Sequence, residues 1–432
     1  MSWEVRPLSE VAEVRLGRQR APKNHSGDSM RPYIRAANVT WAGLNLDDVK
    51  SMNFTDEELD VYRMMPGDVV LSEASGSPGE VGKPALWSGE VADCAFQNTL
   101  IRVRPREHEP RFLLHYFRYQ ALAGNFIQHS RGVGIHHLGR ARLASWPTPV
   151  PPLDEQRRIV DLLEDHLSRL DAAGRYLAAA KRRLNALEQS ALEAHFAGGH
   201  QVPLDDLVSD ISAGKSFGTS NVPASDDEWG IVKVSAMTWG EFRPDENKAV
   251  SGNRVDPRFE IEPGDLLLSR ANTADYVGAS VLVGAVRRRL LLSDKSLRIT
   301  PRPGVDPEWL WRALQAPSAR TQMRVLATGT KDSMRNISQA ALRQIRVPLA
   351  DEAQQSEALR AFSVASEATQ WLRGQLEQAS AKQVTLRKSL LAVAFSGWLT
   401  RDNVYGTPGC QPDRAQTPTA MSRITGNVVD EG

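Results

Sequence analysis

Apolar and polar positions alternate along this chain in two regimes, and each regime occurs twice. Short apolar runs such as 68–72 and 100–103, bounded by glycine and proline, predict buried strands. A helix is expected near 110–130 and again near 307–326. Each is followed by a loop, a proline-rich turn and a long amphipathic stretch. In the first such stretch Ile159, Leu163, His166, Leu170, Ala173, Leu177, Ala180, Leu184, Leu187, Ala191 and Ala194 recur at alternating steps of four and three. In the second, Ala358, Phe362, Ala365, Thr369, Leu372, Leu376, Ala379, Gln383, Leu386, Leu390 and Val393 do the same. This is the period of a coiled-coil seam. Its many alanines leave neither helix stable without a partner. Asp154 and Asp351 stand at the expected N-caps. A helix of some 42–45 residues spans roughly 60–65 Å at 1.5 Å per residue.

The recurrence is an internal repeat with an offset of about 197 residues. Pro66-Gly67-Asp68-Val69-Val70-Leu71-Ser72 returns as Pro263-Gly264-Asp265-Leu266-Leu267-Leu268-Ser269. Val81-Gly82 returns as Val277-Gly278, and Val150-Pro151-Pro152-Leu153 as Val347-Pro348-Leu349-Ala350. Phe196-Ala197-Gly198 returns as Phe395-Ser396-Gly397. The matches keep their order, and the period is far too long for a solenoid, so a whole domain is duplicated. The expected fold class is α+β, with two tandem domains, each followed by a long helix. The expected boundaries are 1–152, helix 153–198, 199–349, helix 350–400, and a disordered Gly/Pro/Thr-rich tail at 401–432. If the two helices pair antiparallel, they act as a ruler between two reading domains related by a pseudo-twofold axis.

Composition narrows the class. With 432 residues, 41% hydrophobic and 24% charged, the chain reads as an ordinary globular protein. No apolar run approaches the ~18–20 residues of a membrane helix, and the N-terminus has no apolar core of a signal peptide. Two cysteines, Cys94 and Cys410, fit a reducing cytoplasm. Net charge is only +1, yet eight arginines fall between 102 and 142, and thirteen Lys/Arg between 287 and 346. Such local basic faces on a neutral chain suit selective DNA binding or membership of a complex.

The proline turn followed by Leu153-Asp154-Glu155-Gln156-Arg157-Arg158-Ile159, the Pro66-to-Ser72 run with Gly76 and Val81-Gly82, and the Phe395-Ser396-Gly397 helix end together resemble the specificity subunits of type I restriction–modification systems. The resemblance covers residues 1 to about 400, twice over. The second copy departs at Asp351-Glu352-Ala353-Gln354, where a residue separates Glu from Gln. The resemblance implies that each domain reads one half of a bipartite double-stranded DNA target. It also implies that the helices set the spacer and dock two modification subunits, which carry S-adenosylmethionine and methylate adenine. An ATP-driven restriction subunit completes the nuclease. The chain itself would need no cofactor and hold no catalytic residue.

Base reading requires donors and acceptors on loops beside cations that hold phosphates. Two loops in each copy qualify. After the domain helix, 130–137 offers Arg131, His136 and His137, and 328–336 offers Lys331, Ser333, Arg335 and Asn336. After the core strand, 72–77 offers Ser72 and Ser75, and 269–273 offers Arg270 and Asn272. A third region contributes Lys23 and Arg35 in one copy and Lys233 in the other. Trp41 and Trp239 recur at equal positions, as core residues do. Ser209 to Ser216 resembles a Walker A loop but lacks its first glycine. His129, His136 and His137 have no cysteine or acid cluster nearby to complete a metal site. No adenine-methylation motif, cofactor loop or nuclease set is found. The alternative function is a scaffold whose duplicated domains bind proteins rather than DNA.

Overall fold

A computed structural model describes residues 3–127, 135–238, 240–251, 255–331, 334–397 and 399–400. Internal contacts divide the chain into two units. One comprises residues 1–174 with those from 381 onward, and the other residues 175–380. The expected tail at 401–432 and Trp239 lie outside the described residues.

In the first unit a four-stranded antiparallel sheet runs in the order Ala12–Leu16, Leu100–Pro105, Val69–Ser72, Pro84–Leu86. Its registers include Val103 opposite Val14 and Ile101 opposite Leu71. A second sheet joins Ala95–Phe96, Met30–Ile34 and Lys50–Asn53. The second unit repeats this order with Val208–Ala213, Ser296–Pro301, Leu266–Ser269 and Ser280–Leu282. Every residue of Val69–Ser72 and Leu266–Ser269 is buried, which is why both read as unbroken apolar runs rather than alternating ones.

The recurring motifs have physical causes. Asp68 and Asp265 accept from the backbone N–H three residues earlier, at 2.7 and 2.9 Å, which closes the turn before the core strand. Each also pairs with an arginine of the neighbouring strand. Arg104 forks onto Asp68 at 2.7 and 2.8 Å, and Arg298 meets Asp265 at 2.8 Å. Gly82 and Gly278 take φ of +73° and +76°. A Cβ there would stand 2.2 Å from Phe126 and 2.4 Å from the Met323 sulfur. The Walker-like Gly214 is a packing glycine too: a Cβ would meet the Leu292 carbonyl at 2.2 Å, as one on Gly17 would meet that of Gln97.

Two local expectations need correction. The helix near 110–130 closes at Leu122, and the one near 307–326 is two helices, Pro307–Gln315 and Pro317–Leu326. Pro317 has no N–H to continue the first, and Ala316 takes the extended ψ of 140° favoured before proline.

The long helices span Leu153–Phe196 and Glu352–Phe395, 44 residues each. Both units contain a half of each helix. In the first, Gln383 donates to the Leu170 carbonyl at 2.5 Å, Arg387 pairs with Asp171, and Thr400 donates to Glu155. In the second, Arg373 pairs with Glu188 at 2.6 Å and Phe362 packs edge-on against Phe196 at 5.3 Å. Rising numbers on one helix meet falling numbers on the other, so the halves within each unit are antiparallel.

The seam is rotated from the expected one. Leu163, Leu170, Leu177 and Leu184 keep their place, as do Phe362, Thr369, Leu376, Gln383 and Leu390. The second column shifts by one residue. Leu167, Gly174 and Glu188 turn inward while Ala173 and Leu187 are exposed. Ser366, Arg373, Ser380, Arg387 and Ala394 turn inward while Leu372, Ala379, Leu386 and Val393 are exposed. The inward column is held by ion pairs and a close glycine contact, which hydrophobic periodicity does not register.

The helix starts also differ from expectation. Asp351 is an N-cap: its carboxylate accepts from Gln354 N–H at 2.9 Å, and the Gln354 side chain accepts from Asp351 N–H at 3.0 Å. Asp154 lies inside the first turn, because that helix begins at Leu153. The repeat equivalents are Gln156 and Gln355. Gln156, 1% exposed, accepts from Glu109 N–H and donates to the Pro151 carbonyl, both at 2.9 Å. Gln355, 2% exposed, accepts from Asp306 N–H at 2.7 Å and donates to the Ala350 carbonyl at 2.8 Å. Each ties a long helix to the start of its domain helix, and the apparent insertion in the second motif disappears. Replacing Gln156 with leucine strands the Glu109 N–H and the Pro151 carbonyl at ~1–3 kcal/mol each, a loss of about 2–6 kcal/mol. Urea unfolding of Gln156→Leu and Gln355→Leu should each lower one transition by that amount; a loss under ~0.5 kcal/mol, the scale of a neutral surface change, would contradict this role.

Candidate nucleic-acid interface

The basic stretches dissolve once partners are assigned. Arg102 is 1% exposed and bonds Glu13 at 2.9 Å and the Arg63 carbonyl at 2.8 Å. Arg104 holds Asp68, Arg111 pairs with Glu164 at 2.9 Å, and Arg118 donates to the Trp41 carbonyl at 3.2 Å. Arg142 donates to the Phe126 carbonyl. In the second unit Arg298, Arg302 and Arg312 are committed in the same way. Burial lowers the pKa of Arg320 to about 10. The basic runs are therefore largely structural, and the interface has to be sought in particular loops.

His115 belongs to this internal framework. It is buried, and desolvation lowers its pKa although Glu164 lies 3.1 Å away. A neutral imidazole donates from Nε2 to Glu164, and its Nδ1 is buried with no hydrogen-bond partner among the described residues. Cys94 is buried with its thiol pushed up to about 12 by desolvation, which leaves it inert. Cys410 lies outside the described residues. Among the described residues no group of His, Cys, Asp or Glu has the arrangement of a metal site, and no helix is long and apolar enough to cross a membrane.

Two of the predicted loops meet in each unit. In the first, Ala74–Ser75 pairs antiparallel with His136–His137, with His136 opposite Ser75 and His137 opposite Ala74. In the second, Ala271–Asn272 pairs with Met334–Asn336, with Asn336 opposite Ala271 and Arg335 opposite Asn272; Thr328–Lys331 adds a third strand. Loops some 60 residues apart in sequence thus form one short ribbon, at the same place in each copy.

The individual candidates separate on that frame. His136, His137, Ser75, Arg270, Asn272, Arg335 and Asn336 are on the ribbons. His137 Nδ1 lies 3.1 Å from the Glu73 carboxylate. Arg270 Nε donates to Asn336 Oδ1 at 3.4 Å. Asn272 closes a local turn by accepting from Thr273 N–H at 2.8 Å. Ser72 is 3% exposed at the end of the core strand, so the surface begins at Glu73. Arg35 is not on the ribbon strands; it pairs with Asp48 at 2.8 Å, and its equivalent Lys233 pairs with Glu246 at 3.4 Å. Both precede a short 3-10 turn. Arg131 and Ser333 lie outside the described residues, as do the side chains of Lys23 and Lys331. Trp41 packs partly buried against the core and donates to Glu80 at 2.9 Å.

Glu73 was not among the sequence candidates, because a carboxylate is the group least expected opposite phosphates. The signal that would have found it is its repeat position, where the second copy carries Arg270.

A family model for the type I restriction modification DNA specificity domain matches residues 1–178. The chain is 24% identical over 422 residues to the type I restriction enzyme EcoKI specificity subunit of Escherichia coli K12, covering 92% of this chain and 89% of that one. It is 22% identical over 428 residues to the StySPI specificity subunit of Salmonella potsdam, with the same coverages. A solved structure from work on complex assembly and conformational transition of the type I R-M system superposes with a TM-score of 0.69 at 19% identity, over 92% of this chain and 98% of that one.

Proposed function

We infer that the chain is a specificity subunit of a type I restriction–modification system, as its similarity to such subunits supports, and that it selects DNA sequence for a complex whose chemistry other subunits perform. It is a non-catalytic subunit. Each recognition domain, 1–152 and 199–349, reads one half of a bipartite target. The helices 153–198 and 350–400 pair antiparallel, set the spacer, and dock two modification subunits; restriction subunits join that assembly. The observation that carries this reading is the duplicated ribbon, which presents Ser75, His136 and His137 in one unit and Arg270, Asn272, Arg335 and Asn336 in the other. Lys23, Arg35, Lys233, Arg131, Lys331 and Ser333 are assigned to flanking contacts, and Ser72 to the support beneath them.

Docking is supported by the face that the rotated seam leaves uncovered. Val364, Trp371 and Leu372 are exposed on the second helix at 72%, 65% and 41%. Leu372 also lines a cleft of about 680 Å³ in the second unit, together with Leu187 and Phe362. Exposed apolar surface of this kind on a helix calls for a protein cover. The test is methyl transfer from S-adenosylmethionine to duplex DNA. The chain with modification subunits should transfer, with binding that falls steeply with salt. The purified chain alone should not, and transfer by it would overturn the assignment.

A further inference from the structure

The two ribbons share one backbone and carry opposite charges at one position. Glu73 N–H donates to the Thr99 carbonyl at 2.9 Å, and Arg270 N–H to that of Lys295 at 2.9 Å. The Glu73 carbonyl accepts from Leu138 at 2.7 Å, and that of Arg270 from Ile337 at 2.9 Å. The equivalence extends to the side-chain partner. His137 is opposite Ala74, and Asn336 is opposite Ala271. Each of these touches the acid or the arginine that starts its ribbon, at 3.1 and 3.4 Å. The fold is therefore indifferent to whether this side chain is an anion or a cation. What changes between the copies is the hydrogen-bonding character presented at the surface.

We propose that Glu73 and Arg270 are specificity-determining residues of opposite sense. Glu73 accepts from the exocyclic amino group of a cytosine or adenine in one half-site, and Arg270 donates to a guanine in the other. The proposal rests on the DNA-reading assignment above. An ionised carboxylate offers only lone pairs. In the major groove its complement is an amino group, whereas arginine forks onto guanine O6 and N7. His137 holds both Glu73 oxygens, at 3.1 and 3.3 Å, fixing the carboxylate plane. Asn336 engages only Nε of Arg270, and among the described residues the two terminal nitrogens have no partner. That leaves free the fork that reads guanine. A carboxylate on a DNA-facing ribbon is repelled by phosphates, so its presence there is explained by a base contact and not by backbone positioning.

The test uses the complete complex with its modification subunits. Methylated motifs are sequenced in cells carrying the wild-type chain, Glu73→Gln, Arg270→Ala or Arg270→Lys. Arg270→Ala and Arg270→Lys should loosen one guanine of one half-site, with discrimination there falling roughly five- to hundredfold. Glu73→Gln should loosen one cytosine or adenine of the other half-site. A second measurement covers a variant that loses methylation altogether: binding of the wild-type complex to duplexes carrying 7-deazaguanine at each guanine of that half-site. One such position should weaken binding about tenfold or more, because the N7 acceptor is gone. Unaltered motifs in methylating variants, loosening at a base of the wrong type, or uniform tolerance of 7-deazaguanine would overturn the proposal. A wild-type complex that marks no motif at all would instead overturn the DNA-reading assignment beneath it.

Discussion

Replacing residues 1–152 with the corresponding domain of a type I specificity subunit is expected, on the proposed function, to change one half of the methylated sequence completely and leave the other half intact. The first unit carries its own sheets and core, built from residues such as Val69, Leu71, Ile101, Val103, Phe112 and Phe117, all fully buried. That core is closed by both long helices, through Ile159 and Leu163 of the first and Leu391 and Ala394 of the second. Phe395 stands 5.4–5.8 Å from the rings of Phe112, Tyr116 and Tyr119. A graft therefore folds when its domain helix supplies partners for Phe395, and losing that ring's packing costs ~3–5 kcal/mol. Donors with small residues at 112, 116 and 119 should fail to express unless those positions are restored. Long-read sequencing of methylated DNA from cells with the chimera is the check. Simultaneous change of both halves would show that the domains do not read independently.

The second large effect concerns the helices. Four residues inserted within 172–180, with four more in the facing 374–380, lengthen the pair by about 6 Å. If the helices set the spacing, as proposed, the gap between half-sites grows by one or two base pairs at ~3.4 Å each. The bases read stay the same, because the ribbons are untouched. The insertions also rotate the seam, so partial loss of methylation is expected. The place of insertion matters: Leu170 and Asp171 already engage Gln383 and Arg387, and Glu188 engages Arg373, so the added turn belongs between those contacts. An active variant with the original gap would reduce the helices to a docking platform.

The duplication, the order of elements and the length of both long helices were legible in the sequence, because repeats and apolar periodicity record burial directly. The seam's second column was not, since Gly174, Glu188, Arg373 and Arg387 pack through close approach and charge pairing. Arginine counts misled for the same reason: Arg102 and Arg104 look like surface cations in a list but are bound to Glu13 and Asp68. The Asp154 cap was misplaced because the true repeat partners are Gln156 and Gln355, whose role shows only when the backbone groups they satisfy are seen. The candidate loops were marked in the sequence as separate segments, but their pairing into ribbons joins residues ~60 positions apart, and no local pattern encodes that.

The most direct test of the central claim, that this chain supplies the sequence choice of a methylating complex, is a methylome comparison with the gene present, deleted and restored. The account predicts a two-part motif with an internal gap that vanishes on deletion, returns on restoration, and carries methylated adenine. The same motif persisting in the deletion strain would contradict it.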